Sequence, residues 1–269
     1  MRTLLPKISL LLLMTLVAAG VPHVLAAGIT GIGYLDQNAL ANVPSFRAAN
    51  KKFVAFRDQL QREFQTREKN VHSQQDQQKL AAEFQSRLAQ RQRELFGPLF
   101  AAAQTAVASV ASSKSLSVVV DKRIVIVGGQ DITQNVIDLL ESPGAPVPPV
   151  NTPPPSTVGW VDQNQIDQLD QFKKAQAQFV QFGEEQRKAA QDKLRSAKTD
   201  ADRNKIYADY QKAIDDKRKE LVQPLVDQTR SAIESVAKKR GLLLVIDRSN
   251  LIYGGTDVTS DVVAALKKG

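Results

Sequence analysis

Ile32-Gly33-Tyr34-Leu35-Asp36-Gln37-Asn38 returns later in the chain as Val158-Gly159-Trp160-Val161-Asp162-Gln163-Asn164. A constant shift of about 126 positions aligns the two stretches and everything after them without a gap. Glu94-Leu95 and Pro98-Leu99 meet Glu220-Leu221 and Pro224-Leu225, and Val119-Val120-Asp121 meets Val245-Ile246-Asp247. Gly128-Gly129-Gln130-Asp131-Ile132-Thr133 meets Gly254-Gly255-Thr256-Asp257-Val258-Thr259. Roughly 30 of about 110 paired positions are identical, far more than one fixed register yields by chance. The chain is a tandem duplication.

Each copy reads as a strand, a long helical hairpin, two strands and a short helix. Ile32 to Asp36 is a short apolar run suited to a strand, and Pro44 stands where a helix can begin, its missing N–H costing little there. From Ser45 to Lys114 only Gly97-Pro98 interrupts a helical pattern. Phe53, Phe56, Leu60 and Phe64 are spaced by three and four, and Leu80, Phe84, Leu88 and Leu95 on the return fall at heptad-like spacing. The polar run Val71 to Gln78 marks the turn between them. The second copy keeps Phe172, Phe179 and Phe182, then Ile206, Tyr210, Ile214 and Leu221. Gln186, Ala189, Lys193 and Ala197 carry so little apolar area that its outer half should be looser. Pro98 and Pro224 kink the returning helix where arm should join body. Leu116 to Asp121 and Ile124 to Val127 have the β-branched composition of strands, as do Leu242 to Asp247 and Asn250 to Tyr253. Thr133 and Thr259 read as N-caps of the last helix. Three short strands per copy make no independently stable sheet, so copies or chains must associate.

The predicted class is α+β, mainly α: two repeats, each a small β-body with a long antiparallel coiled-coil hairpin arm. Residues 1–26 read as a cleavable export signal, with Arg2 and Lys7 before an apolar run from Ile8 to Val17, and with a small or short side chain at both recognition positions of Val24-Leu25-Ala26. Repeat 1 is then 27–141, a proline-rich linker 142–156, and repeat 2 is 157–269. No later stretch approaches a transmembrane span by this reading. Seven of the 12 prolines lie between Pro143 and Pro155, favouring an extended, semi-rigid tether. A cut within it is expected to give two folded halves.

Composition excludes much chemistry. Among 269 residues there is no Cys and there are two His, one of them, His23, inside the export signal. Thiolate metal sites, disulfides and thiol nucleophiles are absent, and His72 has no second imidazole to work with. Asp36, Asp121 and Asp131, with Asp162, Asp247 and Asp257, could be cast as paired acids, but their places at strand ends suit turns and caps. The Gly-Gly pairs lack the frame of a phosphate-binding loop. No enzyme activity, metal or cofactor is expected. The excess of 36 Lys+Arg over 28 Asp+Glu is interleaved with acids, which with export argues against nucleic acid.

The order of these elements resembles the Skp/OmpH family of periplasmic chaperones, over nearly the whole mature chain and once per repeat. Its carriers are Ile32 to Asp36, Val118 to Asp121 and Asp131-Ile132-Thr133, with Val158 to Asp162, Leu244 to Asp247 and Asp257-Val258-Thr259. The resemblance implies a homo-oligomer with a barrel-like body and helical arms that surround an unfolded outer-membrane protein without ATP. Two units per chain depart from the family's threefold closure of single-unit chains. The implied function is a periplasmic holdase that keeps unfolded outer-membrane β-barrel proteins soluble, with anionic lipid head groups as a further candidate partner. The alternative is a non-catalytic structural envelope protein docking a folded partner. Candidate client-binding residues are Phe53, Phe56, Arg62, Phe64, Arg67, Phe84 and Arg87 on the first arm. On the second they are Lys188, Arg195, Lys198 and Tyr210. The aromatics equally suit a coiled-coil seam, and the cations equally suit solvated faces paired with Asp58, Glu63, Glu83 and Asp209.

Overall fold

The computed structural model describes residues 31–71, 73–149 and 154–267; the export signal lies outside them. In chain order the elements are β1 (Ile32–Leu35), α1 (Gln37–Leu40), α2 (Pro44–Glu68), α3 (Gln74–Ser113), β2 (Val118–Asp121), β3 (Gln130–Asp131) and α4 (Thr133–Glu141). The second repeat supplies β4 (Val158–Val161), α5 (Gln163–Asp167), α6 (Asp170–Ser196), α7 (Asp200–Arg240), β5 (Leu244–Asp247), β6 (Leu251–Gly254), β7 (Thr256–Asp257) and α8 (Thr259–Leu266). Long helices with small sheets give a mainly-α α+β fold built from two repeats.

The residues group into two compact units whose division does not follow the repeat boundary. One unit holds Thr157–Ser249 and the residues from Thr256; the other holds the first repeat, up to Ser156, together with Asn250–Gly255. In the first-repeat unit β1 lies parallel to both β2 and β3, and β2 is flanked on its outer edge by β6, antiparallel, giving the order β3-β1-β2-β6. A bulge falls between Val119 and Val120, where the ladder steps from Tyr253 to Leu251. The second-repeat unit has three strands, β5-β4-β7, all parallel.

Ile124 to Val127, expected as a strand, forms none: a short 3-10 turn, Lys122–Ile124, leads into irregular chain. The place beside β2 that a following strand would take is filled by β6, and a strand with no ladder partner does not persist. Its counterpart β6 is a strand because it has β2.

Each body is closed by the C-terminal part of the long helix and the last short helix. Ala106, Val107, Val110 and Ala111 of α3 pack with Leu35, Leu116, Val119, Ile132 and Val136, and Ile252 and Tyr253 of β6 lie against that cluster. Val161, Ile166, Phe172, Ala232, Ile233, Val236, Val258, Val262 and Leu266 do the same in the other unit. By length and composition α3 could cross a membrane, which the sequence reading did not anticipate; the core alanines and valines just named supply its apolar character. Pro98 and Pro224 sit inside α3 and α7. The body-packing residues of both helices lie C-terminal to these prolines, which places each proline where arm meets body.

Thr133 and Thr259 are the first residues of α4 and α8 rather than their caps. Each hydroxyl instead accepts a hydrogen bond from a backbone N–H across the unit, that of Asp36 or Asp162, at 3.0 Å in both cases. The helix starts are held by Asp131 and Asp257, whose carboxylates accept from the N–H groups of Thr133 and Thr259 at 2.9 Å.

Candidate functional site

In both hairpins a polar side chain caps the start of the returning helix: Ser73 accepts from the Asp76 N–H, and Thr199 from the Asp202 N–H. The outgoing helices have 25 and 27 residues and the returning ones 40 and 41. At 1.5 Å per residue each outgoing helix is ~40 Å long.

The first arm has a built seam. Leu60, Leu80 and Phe84 are buried, with Phe56, Phe64, Val71 and Leu88 packed on them. Phe64 meets Phe84 edge-on at 5.1 Å, and Phe53 meets Phe96 at 5.9 Å. Over this seam lies a cross-helix ion network. Arg67 donates two hydrogen bonds to Glu83, at 2.7 and 2.8 Å, and Arg87 donates one to Glu63 at 2.8 Å. Both guanidinium groups stand 5.4 Å from the Phe84 ring centre. The Arg87 hydrogen bond holds the Glu63 carboxyl below its ordinary range, and the Arg67 hydrogen bonds do the same to Glu83. Arg62 is exposed and makes no ion pair among the described residues.

The second arm is different. Phe172 and Phe179 are buried near the body, but from Val180 to Gln228 no residue is buried. Lys217 covers Phe182 at 5.7 Å and Arg218 covers Phe179 at 5.9 Å. Its ion pairs join residues three apart on one helix, such as Arg195 with Asp192 at 3.7 Å, where the first arm has cross-helix bridges. Lys188, Arg195 and Lys198 are exposed and Tyr210 is half-buried.

Of the sequence-predicted residues, Phe53, Phe56, Phe64, Phe84, Arg67 and Arg87 are therefore gathered in and over the seam of one arm. Arg62, Lys188, Arg195 and Lys198 point to solvent. Missing from that set are Phe100, Tyr207 and Val180, exposed by 54%, 56% and 43%. Phe100 could have been found from its i, i+4 spacing to Phe96, on which it stacks at 6.1 Å. Tyr207 and Val180 carry no such signal, because their neighbours decide their exposure.

All six aspartates considered as paired acids are turn acceptors. Asp36, Asp121, Asp131, Asp162, Asp247 and Asp257 each accept from the backbone N–H two residues ahead, at 2.7–3.0 Å. Among the described residues no group of three or more His, Cys, Asp or Glu could hold a metal ion.

A family model described as outer membrane protein (OmpH-like) matches residues 46–140 and again 160–266. No curated protein matches the chain, and no solved structure does. The two matched segments take up well over half of the chain and coincide with the two hairpin-and-body repeats, so the chain belongs to the OmpH-like family and carries its domain twice.

Proposed function

We propose that the chain is an ATP-independent periplasmic holdase that binds unfolded outer-membrane β-barrel proteins and keeps them soluble for delivery. The observation that carries this reading is the second arm. A helical hairpin with no buried residue from Val180 to Gln228 has little seam of its own to protect. Its scattered apolar groups, Val180, Tyr207 and Tyr210, are available to another chain. Scattered contacts of this kind are individually weak, which permits release without a nucleotide cycle, and binding the unfolded state holds it back from aggregation by mass action. Lys188, Arg195 and Lys198 add long-range attraction for acidic clients, or for anionic head groups, and raise the capture rate. The first arm, with Arg67 and Arg87 engaged over Phe84, offers Arg62 as a cation, and Phe100 adds exposed apolar surface at the arm's base, just past Pro98.

The test is dilution of a urea-denatured outer-membrane barrel into buffer with and without the mature chain, at low and high salt. More client should stay soluble with the chain present, and less of that gain should survive high salt. Unchanged client solubility rejects the holdase. A gain indifferent to salt rejects the role of the arm cations alone.

A further inference from the structure

Four phenylalanine rings form a row at the base of the first arm. Phe53 meets Phe96 edge-on at 5.9 Å, Phe96 stacks on Phe100 at 6.1 Å, and Phe100 meets Phe46 edge-on at 5.8 Å. Phe46 is buried with Val43 and Ala103, which anchors the row to the body, yet Phe100 is 54% exposed. The repeat shift sets Val222 and Val226 at the places of Phe96 and Phe100, and both valines are half-buried. Burial alone favours the larger apolar side chain inside. The first repeat instead holds a ring outside where the second tucks in a valine.

Cations accompany the rings. Arg47 follows Phe46 directly, and Lys51 stands one turn further along the same stripe of α2. Arg93 lies two turns before Phe100 on the stripe of α3 that carries it. All three are exposed, and none forms an ion pair among the described residues. The acids nearest them in sequence are already engaged, Asp58 by Arg57 at 2.8 Å and Glu94 by Arg91 at 3.1 Å. The second repeat has Ala177 where the first has Lys51.

We propose that this aromatic row is a reading site for client segments in which an aromatic side chain neighbours an acidic one. The proposal rests on the holdase reading for its occupant and adds a preference that only the first repeat has. An incoming Tyr, Trp or Phe extends the row on the open ring of Phe100, since offset and edge-on aromatic pairs gain more than their area alone. Outer-membrane barrels supply such groups in the aromatic girdles of their strands. Charge complementarity selects the acidic neighbour. The chain itself offers no good occupant: a second copy is as basic as the first, at +8, and the proline-rich linker has no charged residue between Ser142 and Ser156.

The test is calorimetric titration of the mature chain with short Gly/Ser peptides that carry Tyr with Asp, Leu with Asp, or Tyr with Lys. The Tyr/Asp peptide should bind at least about fivefold tighter than either other. Phe100→Val, which installs the second repeat's residue, should abolish the preference for Tyr over Leu and keep that for Asp over Lys. Lys51→Ala/Arg93→Gln should do the reverse, both variants keeping the wild-type helical content. No Tyr preference in the wild type, or its survival in Phe100→Val, overturns the proposal. A change of sedimenting mass in Phe100→Val would mean that another copy covers the ring, and Phe100-dependent binding of phosphatidylglycerol vesicles would mean a membrane does; either overturns it. A chain that keeps a barrel soluble but ignores Tyr loses this site and remains a holdase. One that reads Tyr but fails with the barrel keeps the site and is no holdase.

Discussion

Val119 of the first repeat faces Tyr253 of the second across an antiparallel ladder. A strand that follows the second repeat's own β5 in sequence thus completes the sheet of the first. Tyr253 lies half-buried against that core, and burial pushes its phenol pKa up. Tyr253→Ala should therefore destabilise the first-repeat unit by about 2 kcal/mol. Hydrogen exchange at the Val119 and Val120 amides is the readout, and protection there should fall more than at β4.

Cutting the chain between Pro148 and Pro155 should leave both pieces associated. β6 remains on β2 by its ladder and by Ile252 and Tyr253, and Gly255 donates to the Ser117 carbonyl at 3.1 Å. Gel filtration of the nicked chain should show one species in buffer and two in moderate denaturant. An isolated 31–141 piece, with β2 uncovered, should be less stable than the same residues in the whole chain.

The two arms should respond differently to the same truncation. Phe84 is 6% exposed, between Phe64 and the Arg67 and Arg87 guanidinium groups. Phe84→Ala should cost about 3 kcal/mol in the first arm. Its repeat equivalent Tyr210 is half-buried on an arm with no buried neighbour, and Tyr210→Ala should cost under about 1 kcal/mol. Urea unfolding of the two variants, followed by amide exchange in α3 and α7, separates them.

Acid should act on the two units in opposite senses. The Asp121 carboxylate is buried and hydrogen-bonded to Arg123, which lowers its pKa in the folded chain. The stability it adds is present above the unfolded aspartate value of about 3.9 and is lost as pH falls through the lower folded value. Glu63 and Glu83, also lowered, add to the same loss in the first arm. Asp167 is raised by burial, so its ionisation opposes folding as pH rises through its folded value, and acid relieves that cost. Asp121→Asn should flatten the acid limb of first-repeat unfolding, whereas Asp167→Asn should raise second-repeat stability at neutral pH and leave it unchanged in acid.

Much of this was legible from periodicity. The repeat register, the hairpins, the arm–body prolines and the turn role of the six aspartates follow from spacing, because local hydrogen bonds and one apolar stripe decide them. The weak seam of the second arm follows from Gln186, Ala189 and Lys193 standing at seam positions. What spacing could not give is partner choice. Ile124 to Val127 and Leu251 to Gly254 have similar strand propensity, yet only one has an edge to pair with. Thr133 looked like a cap because its hydroxyl type fits one, whereas its bond runs to Asp36, distant in sequence. Glu63 and Glu83 were legible as partners four residues along the same helix, but the shorter bonds run across to the facing helix, Arg67 to Glu83 and Arg87 to Glu63, a pairing that one helix's spacing does not show.

The most direct measurement of arm function is photocrosslinking from position 207. With a photoreactive residue in place of Tyr207, the mature chain is irradiated in the presence of a urea-diluted outer-membrane barrel, and separately with the same barrel already folded in detergent. The expected result is strong capture of the unfolded barrel and at most a tenth as much of the folded one. Equal capture of both, or capture of neither, contradicts a holdase that works through its arms.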